Sequence, residues 1–489
     1  MTGDASEATW RTEHRAIVLD CAVVRRPRVL VVPAADGAGL ALPAWVVDEG
    51  CEHDPDVGRF AAQARERLGV EVVVLHYREP SEDEAARARS GTWVLEARGP
   101  LDGAPGALPE AEWVRRGELA RLTDPDERRL AEEVARQLEN GVSPPGRCAW
   151  AAPGWLDEAA SWMVARLAAL GRPAVGPIAQ FRSNSISSVV RAPTRRGDVY
   201  LKAACRHFRT EARITQGLAA QFPEHVPVVL AADVERSWLL MEDFGPSLRR
   251  VGPTREWERA LCLMGELQRR CVDQTDWLFA IGAADRRLSV LRTQVTALLE
   301  APETRRELDA DALANLVART PELEGACDAL AACGVPETLI HGDLHAGNVA
   351  LRDGRIALFD WTDAAVAHPF LDLITFLPNR RRRPVDADDP DAAAQRLLDA
   401  YLEGWTTFAS PTQLRRAVDL LQTVQALHHA QSYLQILRSI EPADHWQWQG
   451  ELGEWLAPLV ERTRTDGNWR NRNRAGSGAA TTIAACGQR

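Results

Sequence analysis

The stretch from Leu339 to Ala364, LIHGDLHAGNVALRDGRIALFDWTDA, constrains the fold more than any other part of the sequence. Its apolar runs lie on both sides of the turn RDG, a pattern typical of two short strands joined by a tight turn. Two histidines, four aspartates and one asparagine lie between these runs. We therefore expect groups that bind metal or move protons at the ends of neighbouring strands.

Three of these side chains predict a magnesium-dependent site. Asp343 and Asn348 are five residues apart on a loop that leaves an apolar strand, and Asp360 ends the next strand. Oxygen donors such as Asn348 and Asp360 suit Mg²⁺, which usually keeps water or substrate phosphates among its ligands. Asp343 is then available to accept a proton from an attacking hydroxyl. Transfer of a phosphoryl group needs little else, because positioning and charge neutralisation supply most of the catalysis.

The segments HGDLHAGN and LFDWTDA resemble the catalytic and metal loops of the aminoglycoside phosphotransferase and choline kinase-like family, whose members are related to protein kinases. The resemblance extends over roughly residues 170–460. It implies an α+β, two-lobed protein kinase-like fold with ATP between the lobes. It also implies that Asp343 is the catalytic base and that Asn348 and Asp360 are the Mg²⁺ ligands.

The same resemblance assigns residues to ATP. Lys202 in VYLKA resembles the lysine that holds the ATP phosphates, and Glu211 in FRTEARIT resembles its ion-pair partner on a helix. Glu242 and Phe244 belong to MEDF, which resembles the linker whose main-chain groups bind adenine. These residues are therefore expected to contact the nucleotide or to position groups that do.

The expected phosphate loop departs from the protein-kinase pattern. The segment FRSNSISSVVRA has no GxGxxG, but serines and one asparagine occupy the hairpin from Ser183 to Ser188. Backbone N–H groups and hydroxyls can still cradle phosphate in such a turn. Ser183 and Ser185 are accordingly expected to contribute to nucleotide binding.

Further residues are expected to support the site. His341 is interpreted as a structural residue of the catalytic loop, and Asp372 in HPFLDL resembles the family's aspartate that supports this loop from a helix. For His345 and Asp363, contact with metal or substrate and a loop-capping or solvent-facing role both stay open.

Residues 10–140 resemble a Nudix hydrolase domain, because β-like runs surround the helical segment VGRFAAQARERLG. The family's motif places Arg-Glu and Glu-Glu pairs on this helix, where the sequence has Ala62-Gln63 and Glu66-Arg67. One carboxylate holds a hard cation poorly, so this α/β Nudix-like domain is expected to be degenerate and inactive. Its alternative source of carboxylates is the acidic cluster just before the helix, which comprises Glu52, Asp54 and Asp56.

Composition breaks suggest the remaining domain bounds. The helical pattern in DERRLAEEVARQLENG ends at Gly141, and VSPPG follows as a linker. The final residues lack periodicity and are expected to be disordered. The predicted sequence of parts is a linker over 141–153, a kinase-like N-lobe with a leading helix over 154–245, a mainly helical C-lobe over 246–465 and a tail over 466–489.

Composition also limits the possible partners and location. The 489 residues carry a net charge of −11, which does not favour general nucleic-acid binding. There is no apolar run of membrane-spanning length and no secretory pattern at the start, so we expect a cytoplasmic protein without membrane contact. Nine scattered cysteines without a CxxC pair are interpreted as reduced thiols. The basic loop NRRRRP, which precedes DADDPD, is interpreted as solvated.

The sequence therefore predicts an ATP- and Mg²⁺-dependent phosphotransferase that acts on a hydroxyl of a small molecule. An aminoglycoside, an amino alcohol or a sugar-like acceptor all fit, and the sequence does not choose between them. It also leaves open the preference for ATP or GTP, the pathway and the oligomeric state. Two alternatives are a regulatory protein that binds a nucleotide without turnover and a Nudix-type pyrophosphohydrolase with an accessory kinase lobe.

Overall fold

The computed structural model describes residues 10–22, 26–35, 37, 39–49, 57–78, 91–99, 108 and 110–460. The predicted tail 466–489 and the acidic cluster of Glu52, Asp54 and Asp56 lie outside these described residues. The chain divides by its contacts into two compact units, Met1–Arg196 with Ile440–Gln447, and Gly197–Ser439 with Trp448–Arg489. The domain bounds inferred from the sequence stay predictions.

The first unit contains one mixed sheet. Its strands are β1 (Trp10–Asp20), β2 (Arg28–Pro33), β3 (Leu40–Ala41), β4 (Ala44–Glu49), β5 (Glu71–Arg78), β6 (Thr92–Arg98) and β7 (Glu112–Arg115). In the described part of the unit their order is β3-β2-β1-β6-β5, with β4 also paired to β1 and β7 to β2. β1 and β6 run parallel with Ile17 opposite Val94, whereas β5 and β6 are antiparallel.

Helix α1 (Val57–Leu68) lies between β4 and β5, and α2 (Pro125–Asn140) and α3 (Trp155–Ala169) follow β7. In α1, Phe60, Ala64 and Leu68 are four residues apart and therefore share one face, which packs in a buried cluster with Trp93 and Leu95. Burial of a side chain such as that of Phe60 or Leu68 stabilises the fold by about 1.5–3 kcal/mol. The apolar period alone is thus enough to specify this helix.

The segment between α2 and α3 is packed against the late segment 440–447 of the same unit. Arg147 makes a two-point ion pair with Glu441, with N–O distances of 2.8 and 3.0 Å, and both side chains are largely buried. Gly146 has a φ of +83°, and a Cβ there would lie 2.4 Å from the carbonyl carbon of Ile440. The predicted linker is therefore a fixed part of the first unit.

The first unit ends in a hairpin of β8 (Ala179–Ser183) and β9 (Ser187–Thr194), with Ser183 opposite Ser188. The second unit begins with β10 (Gly197–Ala204), β11 (Val229–Asp233) and β12 (Trp238–Glu242). β12 pairs antiparallel with both β10 and β11. Helix α4 (Glu211–Gln221) packs on this sheet through Ala212, which contacts Leu239 and Met241.

The rest of the second unit is mainly helical. Its helices are α5 (Leu248–Val251), α6 (Thr254–Arg270), α7 (Thr275–Ile281), α8 (Leu288–Glu300), α9 (Pro302–Glu307), α10 (Ala310–Ala318), α11 (Thr320–Ala331), α12 (Leu373–Phe376), α13 (Pro390–Glu403), α14 (Pro411–Ser439) and α15 (Glu451–Val460). Short strands interrupt them: β13 (Ala284–Asp285), β14 (Thr338–Ile340), β15 (Val349–Arg352), β16 (Arg355–Leu358) and β17 (Ala365–Ala367). β15 and β16 form the hairpin expected around RDG.

This layout, in which a small sheet with one helix precedes a mainly helical part, is that of the predicted α+β, two-lobed kinase-like fold. The strands and helix expected in residues 10–125 are also present, but the likeness to a Nudix domain stays a prediction. Among the described residues, none of the helices is both long and apolar enough to span a bilayer. None of the seven described cysteines forms a disulfide.

Candidate active site

The catalytic loop follows β14, and hydrogen bonds to Asp372 hold its main chain in place. The Asp372 carboxylate accepts hydrogen bonds from the main-chain N–H groups of His341 and Gly342, both at 2.9 Å, and from Gln268 Nε2 at 3.0 Å. Asp372 is almost fully buried, so these donors replace the water that it would otherwise bind. The supporting role that the resemblance implies for Asp372 stays a prediction.

Gly342 is required by the geometry of this loop. Its φ is +83°, in the left-handed region that L side chains rarely adopt. A Cβ at this position would lie 2.3 Å from the carbonyl oxygen of Asp363, which is backbone and cannot swing away. The loop can therefore pass this close to the segment after β16 only with glycine here.

Asp343 and Asn348 are in direct contact. Asn348 Nδ2 donates to the main-chain oxygen of Asp343 at 3.0 Å and to its Oδ2 at 3.3 Å. His345 accepts from the Gly347 N–H through Nδ1, and its Nε2 lies 3.6 Å from Asp343 Oδ2. Burial alone would raise the pKa of Asp343, but the charge and hydrogen bonding of His345 outweigh it and lower that pKa. Asp343 is thus an ionised carboxylate at neutral pH.

Asp360 joins the loop region to the sheet of the second unit. Its Oδ1 accepts from Lys202 Nζ at 2.7 Å and from Thr362 Oγ1 at 3.0 Å, and Lys202 Nζ also donates to Glu211 Oε1 at 2.6 Å. Burial acts to lower the pKa of Lys202, yet the charges of Asp360 and Glu211 raise it above its ordinary value. Asp360 itself has a φ of +67°, which only the surrounding contacts can maintain in a non-glycine residue.

The donor set fits a hard cation. Asn348 Oδ1 is buried and has no hydrogen-bond partner among the described residues, while Nδ2 fixes the orientation of the amide. No group of three His, Cys, Asp or Glu residues suited to a metal occurs in the described ranges. One amide oxygen and one carboxylate match a Mg²⁺ ion that takes its remaining ligands from phosphates and water.

Asp363 has partners that sequence reasoning missed. Its Oδ1 accepts from Ser432 Oγ on α14 at 2.8 Å, and Thr362 Oγ1 lies 3.2 Å from its Oδ2. Burial raises the pKa of Asp363, and the charge of the half-buried Arg286 opposes that shift. Arg286 in turn donates to Gln435 Oε1 at 3.0 Å. No local motif marks Ser432 or Arg286, because they reach the site from a helix and a strand end far away in sequence.

His341, Glu242 and Phe244 occupy structural positions in the second unit. His341 is buried, with Nε2 2.9 Å from the Phe359 carbonyl oxygen and its ring 4.6 Å from that of Trp361. Burial lowers the pKa of His341, as expected for a neutral loop residue. The Glu242 N–H donates to the Val228 carbonyl, and the ring of Phe244 packs on Phe359 at 4.5 Å.

Ser183 and Ser185 lie in the first unit, where the N–H groups of their turn already have acceptors. The Ser185 N–H donates to Gln447 Oε1 at 3.0 Å. The N–H groups of Ile186 and Ser187 donate to Asn184 Oδ1 at 3.0 and 2.8 Å. Phosphate therefore has to displace these side-chain oxygens before it can use the turn.

The same turn is also held through its carbonyl groups. Trp150 Nε1 donates to the Asn184 carbonyl oxygen at 2.9 Å, and Cys148 Sγ to that of Ser185 at 2.8 Å. Trp150 is buried. The predicted linker 141–153 therefore supplies two of the contacts that fix the expected phosphate loop.

Comparison with known proteins supports this assignment over part of the chain. Residues 177–411 match the model of the phosphotransferase enzyme family. None of the curated proteins matches the sequence. The matched region is nearly half of the 489 residues and includes both the catalytic loop and the metal loop.

Solved structures give more distant likenesses. A type I macrolide 2′-phosphotransferase is 17% identical, with a TM-score of 0.41 over 60% of this chain and 96% of its own. A choline/ethanolamine kinase family protein from Mesorhizobium loti is 17% identical, with a TM-score of 0.42 over 63% and 96%. A spectinomycin phosphotransferase solved with ADP and spectinomycin is 12% identical, with a TM-score of 0.40 over 63% and 95%. These scores are low, so the assignment depends on the matched sequence region.

The residues of the two loops lie together in the second unit, and the family match covers them. Asp343 is hydrogen-bonded to Asn348, which lies on the same loop. Asp360 is hydrogen-bonded to Lys202. Residues 177–411 of this chain match the phosphotransferase enzyme family, and the protein is a small-molecule kinase.

Proposed function

We propose that the protein transfers the γ-phosphate of ATP to a hydroxyl group of a small molecule, with Mg²⁺ as the metal. The observation that carries this proposal is the contact between Asp343 and Asn348 together with the Lys202–Asp360 ion pair. It brings a carboxylate base, an amide oxygen, a second carboxylate and a cation into one unit. Phosphoryl transfer requires this combination of groups.

Each of these side chains has a distinct role in the proposal. Asp343 accepts the proton of the acceptor hydroxyl as the hydroxyl oxygen attacks the γ-phosphorus, while the bond from that phosphorus to the β–γ bridging oxygen breaks and ADP leaves. The lowered pKa of Asp343 keeps it in the ionised form that the step needs. Lys202 holds the nucleotide phosphates, and Glu211 keeps its ammonium group in place. Asn348 and Asp360 would hold the metal, which when bound neutralises charge on the phosphates.

Lys202 makes an ion pair with Asp360 as well as with Glu211. Lys202 Nζ lies on Asp360 Oδ1, one of the oxygens that the proposal gives to Mg²⁺. Two cations cannot share this oxygen at close range without strong repulsion. Binding of the metal and nucleotide is therefore expected to move Lys202 from Asp360 to a phosphate, while its bond to Glu211 remains.

The acceptor is proposed only as a small molecule with a hydroxyl group, such as an aminoglycoside, an amino alcohol or a sugar-like compound. The cytoplasmic location also stays a prediction. We infer that the Nudix-like part serves as a packing or ligand-recognition module without hydrolytic activity, since Glu66 is the one carboxylate left at the motif positions of α1.

The direct test uses the full chain with Mg²⁺ and ATP against a panel of hydroxyl-containing metabolites and antibiotics. We expect at least one compound to gain the mass of a single phosphate group, detected by mass spectrometry. Asp343→Asn is the matched control, because it changes one oxygen and should form product about 10²–10⁴-fold more slowly. If ATP binds to the parent protein and no member of a broad panel, nor water, accepts phosphate, the regulatory alternative replaces this proposal.

A further inference from the structure

The short helix α5 lies directly beside the catalytic loop. Ser247, which precedes it, forms a β-bridge with Ala350, and the Leu351 N–H donates to the Pro246 carbonyl at 3.0 Å. Ala350 and Leu351 are in β15, the strand that follows the proposed metal ligand Asn348. Arg249, on α5, is therefore fixed close to the end of the catalytic loop.

The basic loop NRRRRP lies on the other side of this segment. The Val385 N–H donates to the Gly252 carbonyl at 3.2 Å, just after α5. Inside the loop, Asn379 Oδ1 accepts from the N–H groups of Arg381 and Arg382, both at 2.9 Å. This turn separates Arg382 from its neighbours: Arg382 is partly buried, whereas Arg381 and Arg383 are exposed. The expectation that the loop is simply solvated is thus wrong for Arg382.

The two guanidinium groups have little internal compensation. Arg249 Nη1 is buried without a hydrogen-bond acceptor among the described residues. Arg382 Nη1 donates one long hydrogen bond, at 3.5 Å, to the uncharged carbonyl oxygen of Thr375. In the same ranges neither arginine makes an ion pair within 4.0 Å. Burial lowers the pKa of Arg382, Asp343 opposes that shift, and the like charge of Arg249 adds to it. Two partly buried cations near each other are unfavourable unless an anion joins them.

We propose that Arg249 and Arg382 form a binding site for one tetrahedral oxyanion, such as a phosphate group, beside Asp343. Guanidinium groups bind such anions through paired, charge-assisted N–H donors. A site of this kind also offsets the repulsion between the Asp343 carboxylate and a phosphate brought close to it. Because the site lies beside Asp343, its role in catalysis rests on the proposed function. Binding of an anion to the site can be tested without any turnover.

The bound oxyanion can have two sources. One is the phosphoryl group on its way from the nucleotide to the acceptor, which the pair would hold next to the base. The other is a phosphate group that the acceptor already carries, in which case the pair selects anionic acceptors. Both sources present the same chemistry to the arginines, and kinetics without an acceptor separates them.

The first experiment measures binding of inorganic phosphate to the full chain by isothermal titration calorimetry. All proteins carry Lys202→Met, so that phosphate does not bind at the nucleotide lysine. We expect Arg249→Met and Arg382→Met each to weaken phosphate binding by about tenfold or more, as expected for the loss of charge-assisted hydrogen bonds. Arg381→Met is the matched control from the same loop and should bind phosphate like the Lys202→Met parent.

The variants Arg249→Lys and Arg382→Lys protect this test against a folding defect. They keep the charge and lose the paired donors, so we expect intermediate affinity with an unchanged thermal melting curve. Equal phosphate affinity in the parent, both methionine variants and the Arg381→Met control would overturn the proposal. So would a complete absence of phosphate binding once Lys202 is replaced.

The second experiment identifies the source of the anion. Arg382→Met is compared with the parent, both with Lys202 intact, in the slow hydrolysis of ATP without an acceptor. A fall of about tenfold in kcat with little change in the KM for ATP supports the transferred phosphoryl group as the occupant. An unchanged hydrolysis rate, combined with a lost preference for phosphorylated over unphosphorylated acceptors, supports an acceptor phosphate. An unchanged rate and an unchanged acceptor preference would overturn the proposal even if Asp343 remains the base.

Discussion

Helix α1 and the catalytic loop each resemble a known sequence motif. Helix α1 matches its motif in the apolar residues, and the catalytic loop matches its own in the polar residues. α1 retains the apolar face of Phe60, Ala64 and Leu68, but Glu66 is exposed and its motif partners are not carboxylates. In the catalytic loop, by contrast, Asp343 and Asn348 keep both their identity and their contact.

The difference shows that a fold and a site are specified by separate residues. Apolar spacing preserves a helix whatever its exposed face carries, because burial supplies most of its stability. A metal or acid–base site instead needs particular atoms at short distances. The four predictions below test this contrast, from the largest expected effect to the smallest.

Asp360→Ala should reduce Mg²⁺-supported phosphotransfer to background. The substitution removes a proposed metal ligand and also the carboxylate that accepts from Lys202 at 2.7 Å. Without that ligand the nucleotide phosphates lose their metal link to the protein. Steady-state assays over a range of Mg²⁺ and ATP concentrations measure the effect, and Asp388→Ala, an exposed aspartate of the same unit, is the control. A variant that titrates with Mg²⁺ and ATP like the parent would remove Asp360 from the metal site.

Asp343→Asn should lower kcat by about 10²–10⁴-fold, the range expected for the loss of a general base. The amide keeps the shape of the side chain, so folding and ATP binding should change little. Calorimetric ATP titration and a thermal melt provide the comparison with the parent. Turnover close to that of the parent would show that another group takes the proton.

Gln447→Ala should lower the KM for ATP by about twofold to fivefold, corresponding to one net hydrogen bond. The side-chain oxygen of Gln447 holds the Ser185 N–H, for which a phosphate oxygen would otherwise compete. Trp150→Phe is a suitable control, since it removes the bond to the Asn184 carbonyl and leaves the Gln447 contact in place. A KM that stays constant or rises in Gln447→Ala would indicate that the turn binds no phosphate through this group.

Glu66→Gln should have no measurable effect on any hydrolytic activity, because we expect none in the parent. The full chain, given Mg²⁺ or Mn²⁺ and a panel of nucleoside diphosphate derivatives, should release neither phosphate nor nucleotide through the amino-terminal part. The Asp343→Asn background excludes release by the kinase site. Robust hydrolysis in that background that disappears with Glu66→Gln would make the first unit a second enzyme.

Local signals explain what the sequence predicts well. The helix α1 follows from its apolar period, and the hairpin of β15 and β16 follows from two apolar runs around RDG. Asp343 and Asn348 were expected on one loop, and their separation of five residues is short enough to allow the contact that they make.

Contacts between distant segments explain what the sequence could not predict. Gln447 and Ser185 are 262 residues apart, and no periodicity links them. Arg382 looks like its neighbours in a run of four arginines, and only the turn at Asn379 and the contact of Val385 with Gly252 single it out. Burial of a charged side chain depends on tertiary packing, which composition does not encode.

The ion pair between Arg147 and Glu441 also imposes an order on biosynthesis. Its partners are 294 residues apart, and both belong to the first unit. At about 5–20 residues per second, a ribosome needs about 15–60 s to reach Glu441 after Arg147 has been added. During that interval the Arg147 side chain has no ion-pair partner, and the surface on which residues 440–447 will pack is uncovered. The first unit is therefore completed only after residues 197–439, which belong to the second unit, have been synthesised.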